Sequence, residues 1–391
     1  MNSRLAVASS SSTSTFTFKP ESKGKWPRPS GSSRPSLGEK LQIYVKKLSG
    51  RGPRSKRQHK YLLIVVLIVL LCSALLFFPI PQSQSVVPGV VLSRYPNYKP
   101  SLLSSPVAAL ARLIALVPED LQSGLGTRLF STAVAPSLSQ MRQHKLLSLR
   151  KDLYHSINDA PRWRNVRSEL GLMYLSILGL KPGYAHFYLY VPTTADSGSG
   201  AVLLFFHGSF GNFQLYPELM IPFAEKTGTI IVAPSGGFGN WAAPAEDEVI
   251  SAVLTELRHI VDLDSKNVFV SGQSAGGVGV AKFMRAYPKT AAALLISPVI
   301  DSKLFSSLQA KLGGTQQQLH LTVISGEQDE ATRIGMVREA VRALRAAGLD
   351  VRLHEEPGED HYLMLFRWPV VEAALEEMVI SENAFKRGRA L

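Results

Sequence analysis

The sequence predicts an α/β fold over residues 181–391: a mostly parallel sheet covered by helices on both faces. Three observations predict it. Continuous apolar runs such as Ala201-Val-Leu-Leu-Phe-Phe206 read as strands buried on both sides. Segments with helical spacing alternate with them, as in the apolar positions 249, 250, 253, 254, 257, 260 and 261. One strand, beginning at Asn267, runs into Gly272-Gln-Ser-Ala-Gly276 and then into a helix-forming stretch. That pattern is a strand, a sharp turn and a helix with serine at the apex.

Charge divides the chain before any motif does. The formal net charge is +13, but residues 1–60 hold 14 of the 43 Lys and Arg and only 2 of the 30 Asp and Glu. The tail therefore carries +12 and everything after it +1. A near-neutral folded part excludes a basic nucleic-acid groove, so no nucleic-acid partner is expected. The tail is rich in Ser, Pro, Lys and Arg, lacks the apolar surface to offset ordering, and is expected to be disordered. The single cysteine, Cys72, excludes a disulfide framework and a multi-cysteine metal site. No metal-ligand cluster stands out, and no cofactor is expected.

Residues 61–80 are expected to form a transmembrane helix. Tyr61 to Phe78 contains no charge and would reach roughly 27 Å as a helix, about one hydrocarbon core. Pro79 and Pro81 stop it. Arg51, Arg54, Lys56, Arg57 and Lys60 crowd its front end, and no charged residue follows until Arg94. The positive-inside rule then keeps the N-terminus in the cytoplasm and sends the rest across: lumenal, periplasmic or extracellular. An organelle transit peptide is the rival reading of the acid-poor tail. Residues 81–180 are expected to be a Pro- and Ser-rich stalk followed by a helical region. Val107 to Val117 is helical in pattern, and Pro118-Glu-Asp can start a helix. This region reads as a membrane-proximal layer or as a cap over a site.

From 181 the elements follow in order. Strands are expected at 185–191, 201–206, 229–233, 267–271, 291–296, 319–324 and 351–355, and helices at 246–261, after Ser274, at 332–347 and at 369–380. In such a sheet, reactive groups gather at the carboxyl ends of the strands. A serine hydroxyl needs a base beside it and an acid to orient that base. Asp329 follows the strand at 319–324 in Ser325-Gly-Glu-Gln-Asp329, with Glu327, Glu330 and Asp301 as competitors. His361 follows the strand at 351–355 in Pro357-Gly-Glu-Asp-His361; His354 lies within that strand and His320 at the start of another. An oxyanion could be held by the Ala275 backbone N–H and by that of Ser209 or Phe210, which follow His207-Gly208. His207 reads as a structural residue holding that loop. Gly237-Phe-Gly-Asn-Trp-Ala242 superficially fits a dinucleotide fingerprint, but Pro234 and Pro244 bracket it. It reads instead as a loop whose Trp241 either walls a substrate cleft or simply packs.

Over about 184–380 the chain resembles the α/β-hydrolase superfamily, in Phe205-Phe-His-Gly208, Asp264-Ser-Lys-Asn-Val-Phe-Val270, Gly272-Gln-Ser-Ala-Gly-Gly277, Gly326-Glu-Gln-Asp329 and Pro357-Gly-Glu-Asp-His361. Within it the chain looks like the esterase branch with polyhydroxybutyrate-depolymerase-like and feruloyl-esterase-like enzymes. The resemblance implies Ser274 as nucleophile, His361 as base and Asp329 as its orienting acid. It implies a membrane-anchored serine hydrolase of carboxylic esters, acting through an acyl-enzyme on a small or polymeric ester. The same parts would serve a peptidase or thioesterase, and a catalytically inactive scaffold is the alternative from another class.

Overall fold

In the computed structural model of the chain, the residues described are 89–95, 117–164, 166, 168, 170, 185–195, 201–236, 241–242, 245–261, 263, 267–290, 292–312 and 320–389. The predicted membrane-spanning stretch at 61–78, the basic tail and the helical pattern at 107–116 lie outside them. Among the described residues no helix is long and apolar enough to cross a membrane.

These residues build one eight-stranded sheet. Its strands are β1 (Gly89–Tyr95), β2 (Ala185–Val191), β3 (Ala201–Phe206), β4 (Ile230–Pro234), β5 (Asn267–Gln273), β6 (Ala292–Ile296), β7 (His320–Gly326) and β8 (Asp350–Glu356). The order across the sheet is β1-β2-β4-β3-β5-β6-β7-β8. Only β2 runs against its neighbours, antiparallel to β1 and β4; every other pairing is parallel. The mostly parallel sheet expected from the sequence is therefore present.

The helices are α1 (Glu119–Val134), α2 (Gln140–Asp159), α3 (Leu215–Thr227), α4 (Ala245–Ile260), α5 (Gly276–Ala286), α6 (Ser302–Leu312), α7 (Ile334–Ala346), α8 (Leu363–Phe366) and α9 (Trp368–Arg389). Side chains alternate across a strand, and β3 shows what that does here. Val202, Leu204 and Phe206 enter a core with residues of α4, α5, α6 and α7. Ala201, Leu203 and Phe205 enter a second core with residues of α2, α3, α8 and α9. Both faces are covered, which is why β3 reads as an unbroken apolar run. Each fully buried large side chain contributes about 1.5–3 kcal/mol, so neither cover is dispensable.

One expectation about the region before 181 changes. Gly89–Tyr95, in the stretch read as a stalk, is the edge strand and pairs along its whole length with β2. Tyr154, Ile157 and Trp163 share a core with residues beyond 181. The flanking Pro88 and Pro96 hid this strand, because prolines that forbid a central strand are compatible with an edge. Pro118 does precede a helix. Glu119 and Asp120 sit in the first turn of α1, where acids complement the helix dipole. Ser139 caps α2, its hydroxyl accepting the Arg142 N–H at 3.2 Å.

Candidate active site

Strand β5 ends in a turn that few residues could make. Ser274 has φ 52°, in the left-handed region that a residue with a side chain seldom occupies. The turn is pinned on both sides: Ser274 N–H donates to Ile296 O at 3.0 Å, and Val299 N–H donates to Ser274 O at 2.8 Å. A Cβ on Gly276 would collide with the Phe206 carbonyl, so only glycine lets α5 start so close to β3. Ser274 is 7% exposed and its hydroxyl opens into a cleft of about 650 Å³ counted to its mouth.

Asp329 and His361 lie side by side. Asp329 Oδ2 accepts a hydrogen bond from His361 Nδ1 at 2.8 Å. Burial pushes the Asp329 carboxyl up. The bond and charge of His361, with the Thr332 backbone and hydroxyl, outweigh that and leave it below its usual range. Oδ1 accepts the Ala331 and Thr332 N–H groups at 2.9 and 2.8 Å, and the Thr332 hydroxyl lies 2.7 Å from Oδ2. The competing acids are elsewhere: Asp301 caps the Leu304 N–H at 3.0 Å, Glu327 is exposed, and Glu330 faces the Ser137 N–H. His320 is exposed and pairs with Asp350 at 2.7 Å.

The loops carrying Asp329 and His361 are fastened together. Gln328 N–H donates to Glu359 O at 2.9 Å and Glu327 N–H to Glu356 O at 3.1 Å. A Cβ on Gly326 would strike the Glu359 carbonyl, which gives the glycine three residues before the acid its physical reason. His361 lines the same cleft as Ser274. The Ser274 hydroxyl and His361 Nε2 do not hydrogen-bond to each other in this structure, and neither has another partner among the described residues.

The loop after β3 supplies the opposite wall. His207 is fully buried, and burial lowers its pKa to about 3, so it is neutral. Its ring joins two strand ends: Nδ1 lies 2.7 Å from Gly208 O and Nε2 accepts the Gly236 N–H at 3.1 Å. A neutral imidazole that donates through one nitrogen and accepts through the other satisfies both contacts. The structural reading of His207 thus has a geometry. Gly208 lies beside Ser274, and Phe210 has φ 77°, a second strained residue at the site. The N–H groups of Ser209 and Ala275 have no acceptor among the described residues. Two unpaired donors flanking a serine at a helix N-terminus can hold negative charge that develops beside it.

Trp241 does not wall the cleft. It is fully buried in the core, edge-on to Phe206 at 5.0 Å, and its Nε1 donates to His207 O at 2.9 Å. Its ring fills the space above Gly236 and Gly279. The alternative weighed from the sequence, packing, is the one realised, and through it Trp241 braces the His207 loop from behind.

The cleft's remaining wall comes from a region without a sequence motif. Ser123, Gly126, Thr127 and Phe130 of α1 fall at i, i+3, i+4 and i+7 and line it, with Arg150 of α2. Phe130 stacks on His361 at 5.2 Å with 26° between the planes, and meets Phe210 edge-on at 5.8 Å. The Tyr362 hydroxyl lies 3.0 Å from that of Ser131 on α1. Arg142 of α2 binds both Glu359 and Asp360, and its guanidinium lies 4.2 Å from the Phe366 ring centroid. Helices α1 and α2 thus contribute one wall of the cleft. The signal available in the sequence was the helix start at Pro118-Glu-Asp, which says nothing about where the helix docks.

No protein-family model matches the chain, and no curated protein matches it. Solved structures do. An acylaminoacyl peptidase of Pyrococcus horikoshii is 12% identical, with 50% of this chain and 40% of that one covered and a TM-score of 0.38. A hyperthermophilic esterase of Pyrobaculum calidifontis is 17% identical, with 54% and 83% covered and a TM-score of 0.38. An S-formylglutathione hydrolase of Staphylococcus aureus is 18% identical, with 50% and 91% covered and a TM-score of 0.41. The chain spans only about a third to a half of the first three structures it matches. The chemistry open to this chain follows from its own geometry.

Proposed function

We propose that the protein is a serine hydrolase of carboxylic esters. The observation that carries the reading is the buried His361–Asp329 pair opening, with Nε2 unengaged, into the cleft where the strained turn presents Ser274. Ser274 Oγ attacks the ester carbonyl while His361 Nε2 takes its proton, and Asp329 holds the ring and steadies the imidazolium. The Ala275 and Ser209 N–H groups receive the oxyanion. His361 returns the proton to the leaving alcohol, and water repeats the sequence on the acyl-enzyme. Serine–histidine bonds often form fully only once substrate is bound. The same parts would serve a peptidase or a thioesterase, and a panel of esters separates them.

The expected result is labelling of the folded protein by a fluorophosphonate, abolished in Ser274→Ala, with ester turnover falling about 10³-fold or more. A folded wild-type protein that neither labels nor turns over a panel of short, long and aromatic esters would sink the reading and leave the scaffold alternative.

We also propose that residues 61–78 anchor the enzyme in a membrane with the catalytic unit on the far side from the cytoplasm. The support is the uncharged run and the cations that precede it. Protease added to sealed vesicles of cytoplasm-out orientation should spare residues 89–391; digestion without detergent would reverse the topology.

A further inference from the structure

We propose that Arg150 binds a carboxylate at the far end of the substrate's acyl chain. The inference rests on the hydrolase reading for the nature of the ligand, an ester, and names its class. Arg150 sits on α2, lines the cleft and is half-buried. Buried arginines are ordinarily paired with acids. This one has no carboxylate within ion-pair distance among the described residues. Nη1 donates to the Asp120 backbone carbonyl, Nε is buried without a partner, and the guanidinium carbon lies 5.6 Å from the Tyr154 ring centroid.

Two acids lie nearby, and neither comes within ion-pair distance of the guanidinium, although the Asp120 charge acts on it from further away. The Asp120 carboxylate accepts the Leu121 N–H at 2.7 Å. Glu119 Oε1 accepts from the Tyr154 hydroxyl at 2.8 Å and from the Gln214 N–H at 2.5 Å, while Oε2 is buried without a hydrogen-bond partner among the described residues. Burial pushes the Glu119 carboxyl up to about 7.

Position along α1 sets the length of the ligand. Arg150 Nη2 lies over Gly124, 2.7 Å from where a Cβ would be, while Phe130 stacks on His361. Six residues separate these points, or about 9 Å along the helix axis. The cleft wall also includes Phe210, Phe213, Leu215 and Tyr216. An aliphatic chain suits that wall, and a single guanidinium matches one negative charge, which favours a carboxylate over a phosphate dianion. An anchor on the acyl part also holds it through both half-reactions, whereas one on the alcohol would slow its release.

The test measures binding without turnover. Calorimetry on Ser274→Ala protein compares monomethyl suberate with dimethyl suberate. The free acid should bind about tenfold tighter or more. That gap should vanish in Ser274→Ala/Arg150→Gln and survive in part in Ser274→Ala/Arg150→Lys. Equal binding of the two esters to folded Ser274→Ala protein, or an unchanged gap in the Gln variant, overturns the proposal. If the Gln variant fails to fold by circular dichroism, the gap in the Arg150-containing protein and its size in the Lys variant decide. Turnover by the wild type is read separately. Its absence alongside a fluorophosphonate-silent Ser274 removes the hydrolase reading, while the binding gap still judges Arg150.

Discussion

His207 shows how one side chain ties charge state to architecture. An unfolded chain takes up a proton there below its ordinary value of 6.5, whereas the folded ring stays neutral down to about 3. Between those values the unfolded state binds more protons, so stability falls as pH falls, by at most ~1.4 kcal/mol per pH unit from this group. Denaturant unfolding from neutral to acid pH should show that slope, and His207→Gln should lose that part of it. The residues of the site were legible to different degrees for physical reasons. Ser274 and Asp329 follow strands with plain apolar runs, and His361 follows a strand in which Val351 and Leu353 alternate with polar residues, so topology brings all three to one edge. Trp241 was undecidable, because an indole with an N–H suits a cleft or a core, and only the His207 carbonyl reveals which. Arg150 gave no signal, since nothing in the sequence places an arginine of α2 at the cleft.

At the scale of elements, the histidine loop is held from two directions. Glu359 and Asp360 both depend on Arg142 of α2, with their side chains 14% and 11% exposed. Arg142→Ala would leave two mostly buried carboxylates side by side without a cation. The expected cost is about 1–3 kcal/mol of stability. Ester turnover should fall as well, because the displaced loop carries His361; unfolding curves and kcat measured on the same sample check both. Which elements could be read follows the same logic. The strands and α4, α5, α7 and α9 carry period-two or helical patterns. Helix α3 has no plain pattern in the sequence, and it contains Pro217 and Pro222. Pro217 is the third residue of the helix, where the N–H has no partner to lose. Pro222 is exposed while Met220, Ile221, Phe223 and Ala224 bury the other side.

For the whole molecule, the region before 181 is part of the core. Tyr154, Ile157 and Trp163 are buried against Tyr188, Tyr190 and the α3 residues. At about 1.5–3 kcal/mol each they supply roughly 5–9 kcal/mol, comparable with the ~5–15 kcal/mol margin of an ordinary domain. A chain starting at 181 also leaves β2 without its partner β1. It should be insoluble or molten, whereas one starting at 80 should fold; near-ultraviolet circular dichroism distinguishes them.

The Gly326–Glu359 abutment reaches further than local packing. Because the acid-bearing and imidazole-bearing loops touch through backbone, one cannot shift while the other stays. A substitution at Gly326, far from any contact with a ligand, should therefore disturb the His361–Asp329 bond as much as one in the histidine loop.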